Sequence, residues 1–250
     1  MVLLFLVLGM VITSRAGAIN GNHTAGARSA GLADARVMLS YLWCFHKNQG
    51  GLPYVRDFMV GFDHHAGFIR EMDYQSLALV VPVSSGSLAG SFSYYGFEHY
   101  HQTKLALAYG RQLARGLTAG IQLDYFHTRI TGIYGHGRQL TFEAGVQYRV
   151  NEKWFLGGHL FNPLPQKAGR YEEPAPSIFR LGAACRFSER LLFCLEMEKD
   201  PKQELIPKMA MEYELVPLLF LRTGIALQPL LNSFGVGYCW QGLQADVAFS

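Results

Sequence analysis

The chain has 250 residues, half of them hydrophobic, with 13% aromatics, 27 glycines and only 16% charged residues, against about 25% charged in ordinary globular domains. Its formal net charge of +3 is small and its Lys and Arg are scattered, which excludes a nucleic-acid partner on charge grounds. Cys44, Cys185, Cys194 and Cys239 have no C-x-x-C spacing and point to neither a zinc site nor a disulfide scaffold.

In chain order, residues 2–11 form an apolar run followed by Ala16-Gly17-Ala18. This fits a secretory leader over residues 1–18 with a small-x-small cleavage site. The run is too short to cross a bilayer as a helix, and no later apolar stretch approaches about 18 residues. No Lys or Arg precedes it, which fits a start inside a longer leader. Residues 19–57 are polar and Gly-containing at first and carry no alternating pattern.

From residue 58 to 250 apolar and polar residues take turns. In 141–150, Phe142, Ala144, Val146, Tyr148 and Val150 share one face, and Thr141, Glu143, Gly145, Gln147 and Arg149 the other. A period of 2 places these sets on opposite sides of a sheet. Thirteen strands are expected near 58–65, 73–83, 87–97, 101–111, 117–128, 138–150, 153–162, 176–187, 191–199, 206–215, 218–228, 232–241 and 243–250. Short connections alternate with longer ones, and one face is rich in aromatics. An all-β, antiparallel transmembrane β-barrel needs these features; the rival is a soluble β-barrel or sandwich that binds a ligand. Bacterial single-chain barrels have an even strand count, so a closing strand is expected to be missing after residue 250. Should that expectation fail, residues 28–39 or 41–46 are the candidates for the remaining strand.

The polar faces assign Glu143, Gln147, Arg149, Arg180, Arg186, Glu196, Glu198, Lys208, Glu212, Glu214, Arg222 and Asp246 to the lumen. They form either a lined path for solute or a salt-bridged network that stiffens the barrel, and the second is the more economical reading. A wet lumen would tolerate arginine at Gln147, whereas arginine at the apolar positions Val146 or Leu181 would face lipid. Glu196 and Glu198 are same-face neighbours of a polar strand rather than an acid–base pair. The histidine pairs His64-His65 and His99-x-His101 lack a third ligand. No nucleotide, metalloprotease or serine-hydrolase motif is present, so neither enzyme activity, cofactor nor metal is expected.

Residues 26–52 hold Gly26, Arg28 and Gly31 in Gly-Ala-Arg-Ser-Ala-Gly, and then Asn48-Gln49-Gly50-Gly51-Leu52. This region resembles the N-terminal part of FadL-like outer-membrane barrels, including the PorV-type proteins of Bacteroidetes. Asn48, Gly51 and Leu52 match their Asn-Pro-Ala-Gly-Leu-like turn, while Gln49 replaces the proline and Gly50 the alanine. The resemblance implies a 14-stranded barrel in the bacterial cell outer membrane, with the N-terminal segment plugging the lumen. It implies outer-membrane lipid as a neighbour, and either passage of hydrophobic or small solutes or a non-transporting role with type IX secretion-system proteins. An apolar pocket beside the plug would point to the first role. A charged, filled lumen would point to the second.

Overall fold

The structure, a computed structural model, describes residues 4–12, 25–67, 71, 73–131, 135–164 and 175–250. Fourteen strands among them close into one barrel. They are β1 (Leu4–Ile12), β2 (Phe58–Ala66), β3 (Tyr74–Val83), β4 (Gly86–Phe97), β5 (Tyr100–Ala114), β6 (Leu117–Ile130), β7 (Gly135–Arg149), β8 (Trp154–Phe161), β9 (Ile178–Arg186), β10 (Leu191–Lys199), β11 (Ile206–Val216), β12 (Leu219–Leu227), β13 (Leu230–Trp240) and β14 (Leu243–Phe249). From β2 to β14 each strand pairs antiparallel with the next. The period-2 pattern explains the wall. Leu123, Phe142, Leu181 and Leu195 point outward and are exposed, while Gln122, Glu143, Arg180 and Glu196 point inward and are 1–2% exposed. A polar-in, apolar-out wall is suited to hydrocarbon, where every backbone group must pair within the protein.

The fourteenth strand is not where the sequence placed it. No slot stands empty between β14 and β2: β1 fills it, running parallel to both, with Leu8 opposite Ala245 on one side and Phe62 on the other. The run read as a leader is apolar at every position, so it presents Leu8, Met10 and Ile12 outward and buries Val7 and Val11 without needing alternation. Two unpaired strand edges in hydrocarbon would each cost several kcal/mol, which is the driving force for filling the slot. Residues 28–39 and 41–46 supply no strand. The proposed cleavage site at residues 16–18 lies outside the described residues.

A second difference lies in length. β5, β6 and β7 have 15, 14 and 15 residues, and β7 takes in residues 135–137, which the pattern assigned to a loop. Their ends at Tyr100, Ile130 and Gly135 extend past the last exposed apolar residues of these strands, Leu105, Tyr125 and Leu140, the edge of an outer apolar belt.

Residues 25–55 occupy the lumen. Helix α1 (Ala27–Gly31) and two 3-10 turns, Leu42–His46 and Gln49–Tyr54, make up the plug, and Leu32, Val37, Phe45 and Leu52 are fully buried in it. Such short elements have little stability of their own. The wall supports them.

Candidate functional site

The plug is seated on a row of glycines. Gly110, Gly120 and Gly145 face one another across β5, β6 and β7, and their inner sides touch the Asn48–Gly50 turn. A Cβ at Gly110 or Gly120 would stand 2.7 or 2.5 Å from the Gln49 carbonyl oxygen, and one at Gly145 would overlap the Asn48 side chain. Only glycine leaves room for this close approach. Asn48 fixes the turn: its amide donates to the carbonyls of Val37 (2.6 Å) and Val146 (2.9 Å), and its Oδ1 accepts from the Gly50 backbone N–H. Gln49, a departure from the family-like turn, donates from Nε2 to Glu143 Oε2 and to the Phe45 carbonyl, both at 2.8 Å. A proline there could make neither bond. Thr118 Oγ1 donates to the Gly50 carbonyl at 2.6 Å.

The remaining motif residues also hold the plug. Gly26 has φ +90°, and a Cβ on it would strike the Trp43 ring. Gly31 packs on Gly235, Gly51 lies against Cys44 and Gln147, and Leu52 is fully buried. Arg28 grips Glu212 bidentately, Nε to Oε2 at 2.8 Å and Nη2 to Oε1 at 2.6 Å, a geometry that fixes orientation as well as charge.

Around the plug runs a buried ionic chain. Lys104 lies 3.2 Å from Asp124 and 3.4 Å from Glu143. Glu143 accepts from His159 Nε2 at 2.9 Å, and His159 Nδ1 accepts from Arg180 at 3.0 Å. A guanidinium can only donate, so the His159 proton sits on Nε2. Arg180 reaches Glu198 at 2.8 Å, and Lys208 bridges Glu198 and Glu196 at 2.8 and 3.4 Å. Arg222 joins Glu212 at 2.6 Å and Asp246 at 2.5 Å. The plug docks onto this chain: Glu196 Oε2 accepts from the backbone N–H groups of Arg36 and Val37, both at 2.8 Å. Asp34 pairs with Lys47 at 2.6 Å and Arg36 at 2.8 Å. Burial pushes the Asp34 carboxyl up, but the charges of Lys47, Arg36 and Lys208 outweigh it and hold the group below the usual carboxylate range. Burial lowers the Lys47 ammonium to about 8, with Arg180 adding to the shift and Asp34 and Glu198 opposing it.

Of the residues assigned to the lumen, Glu143, Gln147, Arg180, Glu196, Glu198, Lys208, Glu212, Arg222 and Asp246 are buried against the plug or one another. Arg149, Arg186 and Glu214 sit at the rim of the short turns instead. Arg149 stacks over Tyr54 at 3.4 Å, Arg186 over Phe155 at 5.4 Å, and Glu214 accepts from the Leu218 N–H at 3.0 Å. Gln147 is not in a wet lumen, because its amide donates to the carbonyls of Leu39 and Val37. Sequence reasoning missed Lys104, Gln122, Asp124 and His159, although each has the inward phase of its strand. It also missed Asp34, Arg36 and Lys47, which lie in a segment with no period to read. Among the described residues no group of three or more His, Cys, Asp or Glu side chains is placed to hold a metal.

The ionic chain stops short of β3 and β4. There the inward positions are Tyr74, Ser76, Ala78 and Val80, then Ser87, Ala89, Ser91, Ser93 and Tyr95, and the apolar ones pack with Trp43, Phe45 and Leu52 of the plug. The lumen therefore has a charged sector and an uncharged one, and the plug fills both.

No protein-family model and no curated protein sequence matches the chain. Solved structures do. The toluene transporter TodX of P. putida aligns with a TM-score of 0.63 at 12% identity, covering 86% of this chain and 88% of its own. The toluene transporter TbuX of Ralstonia pickettii aligns with 0.63 at 10% identity, covering 86% and 89%. A Pseudomonas aeruginosa FadL homologue aligns with 0.53 at 11% identity, covering 70% and 69%. At such identities the likeness speaks for fold, and the fold of this chain is that of the FadL-like β-barrels.

Proposed function

We propose that the protein resides in the bacterial outer membrane and passes small apolar solutes across it, with the plug as the gate. The observation that carries this reading is the uncharged sector between the plug and β3–β4. An apolar solute can move along uncharged side chains without displacing ion pairs, whereas the β5–β14 side would have to break buried charge contacts costing about 3–5 kcal/mol each. The fold likeness to two toluene transporters and a FadL homologue supports the same reading. The charged, filled sector is what a partner-binding barrel would have, and the test includes that arm.

The test is uptake of a fatty acid and of a small aromatic into vesicles holding the full chain, beside the variant Ser91→Trp, which puts a large ring at a buried position between β4 and the plug, with bilayer conductance equal to the parent's as the check that the plug stays seated. Uptake by the parent and its loss in the variant are expected. Absence of uptake together with recovery of a stable protein partner in pull-downs would reject transport.

A further inference from the structure

Above the apolar belt, the outward face of β5–β7 changes character within one step of the alternation. Leu105, Tyr125 and Leu140 are the last exposed apolar residues. The outward positions beyond them are Thr103, His101, His127, Arg129, His136 and Arg138. The register sets His127 opposite Arg138, and Arg129 between His101 and His136. Directly paired residues lie about 4.5–5.5 Å apart at Cβ and diagonal ones about 7–8 Å, so both guanidiniums can reach a single anionic group. The rings of His127 and His136 lie 6.1 Å apart, and His101 stacks on Tyr94 at 5.5 Å. Among the described residues neither Arg129 nor Arg138 has an ion pair or a side-chain hydrogen bond. Arg129 and Arg138 are diagonal neighbours across β6 and β7, two fixed positive charges side by side that an anion would join.

The same strands carry the other half of a site. An apolar groove of about 680 Å³ is cut into the outer wall where Ala119, Ala144 and Gly158 lie between Ile121, Val146 and Leu181. On β6 the step from His127 down to Ile121 is six residues, or about 20 Å at 3.3 Å per residue. That is the reach of an acyl chain whose head group is at the basic patch.

We infer that β5–β7 bind a phosphorylated lipid of the outer leaflet, its phosphates between Arg129 and Arg138 and an acyl chain in the groove at Ala144 and Gly158. Arginine suits this role because its planar fork matches phosphate oxygens two at a time. A head group fixed there would also offset the repulsion between the two guanidiniums. The inference rests on the outer-membrane reading, and goes beyond it by naming a lipid class and a place.

The test uses the full chain folded in detergent and native mass spectrometry with diphosphoryl lipid A. The parent is expected to retain the lipid. Retention should fall about fivefold per arginine in Arg129→Ser and Arg138→Ser, from the roughly 1 kcal/mol each basic residue contributes at an anionic membrane surface. Gly158→Phe, whose Cβ would meet nothing nearer than 3.4 Å, should weaken retention by filling the groove. All three positions face outward, so heat-modifiable mobility on gels should show that the variants fold. Equal retention by the double arginine variant, or equal retention of lipid A stripped of its phosphates, would overturn the site. Displacement of the lipid by millimolar inorganic phosphate would overturn the lipid as its occupant. A chain that fails to insert into lipid vesicles would instead indict the outer-membrane reading.

Discussion

Gly120→Ala tests whether the plug is seated by the glycine row. The new Cβ would lie 2.5 Å from the Gln49 carbonyl oxygen, 2.7 Å from its carbon and 2.8 Å from its Cβ. Ordinary contact starts near 3.4 Å, so the turn must retreat by about 0.9 Å, and backbone on both sides prevents a cheaper adjustment. A retreat of that size stretches the Gln49–Glu143 bond from 2.8 Å and the Thr118–Gly50 bond from 2.6 Å beyond useful range. Overpacking costs about 1–3 kcal/mol, and loss of the bond to the Glu143 carboxylate about 1.5–3 more. A loss of about 3 kcal/mol changes the ratio of seated to unseated plug more than a hundredfold. Conductance across a planar bilayer and protease cleavage within residues 25–55 would read it, with Gly90→Ala as the control. Gly90 faces outward, and a Cβ there meets nothing nearer than 3.7 Å. Gly120→Ala with the conductance and protease protection of the parent would refute the seat.

Asp34→Asn should loosen the plug by about 3–5 kcal/mol, because it leaves Lys47 and Arg36 buried without their carboxylate. A depressed carboxylate contributes stability that is present above its unfolded value, about 3.9, and is lost only as pH falls through the lower folded value. The parent's plug protease protection should therefore not fall between pH 7 and pH 5; a fall over that window that Asp34→Asn abolishes would show that Asp34 is not held ionised. Leu181→Arg or Val146→Arg should cost about 2–4 kcal/mol at the midplane, read by urea titration of the chain folded in lipid vesicles, and equal tolerance of arginine at Leu181 and at an inward rim position would refute the orientation of the faces. Gln147→Arg, by contrast, should break the bonds to Val37 and Leu39 and raise conductance, and a silent Gln147→Arg would show that the lumen is wet there. Because residues 4–12 form β1 of the closed wall, mass spectrometry of protein recovered from outer membranes should find them retained; a mature chain beginning after Ala18 would show that the barrel closes without β1.

The wall was legible because period 2 survives burial: Glu143 and Phe142 differ in phase by one residue, and that alone sends one inward and the other to the outer surface. The same phase contained Lys104, Asp124 and His159, so their place in the ionic chain could have been read. The plug could not be read in the same way. Its residues are held by partners far away in sequence, such as Arg28 by Glu212 and Gln49 by Glu143, and neither 3-10 turns nor irregular backbone repeat. The glycine row was hidden for another reason: Gly110, Gly120 and Gly145 align only once the strand register is known. The role of Leu4–Ile12 was illegible because a uniformly apolar run satisfies a leader and a wall strand equally well.

The ionic chain has one more consequence. From β5 to β14 the wall contributes six carboxylates (Asp124, Glu143, Glu196, Glu198, Glu212, Asp246) against four cations (Lys104, Arg180, Lys208, Arg222), whereas the plug contributes Arg28, Arg36 and Lys47 against Asp34. Each side thus carries two charges of excess, opposite in sign. When the plug leaves and water enters, the bare pore is a ring of net negative charge, and rings of Asp and Glu favour cations. Whatever current an unseated variant passes should be carried chiefly by cations, with a reversal potential in a salt gradient displaced toward that of the cation.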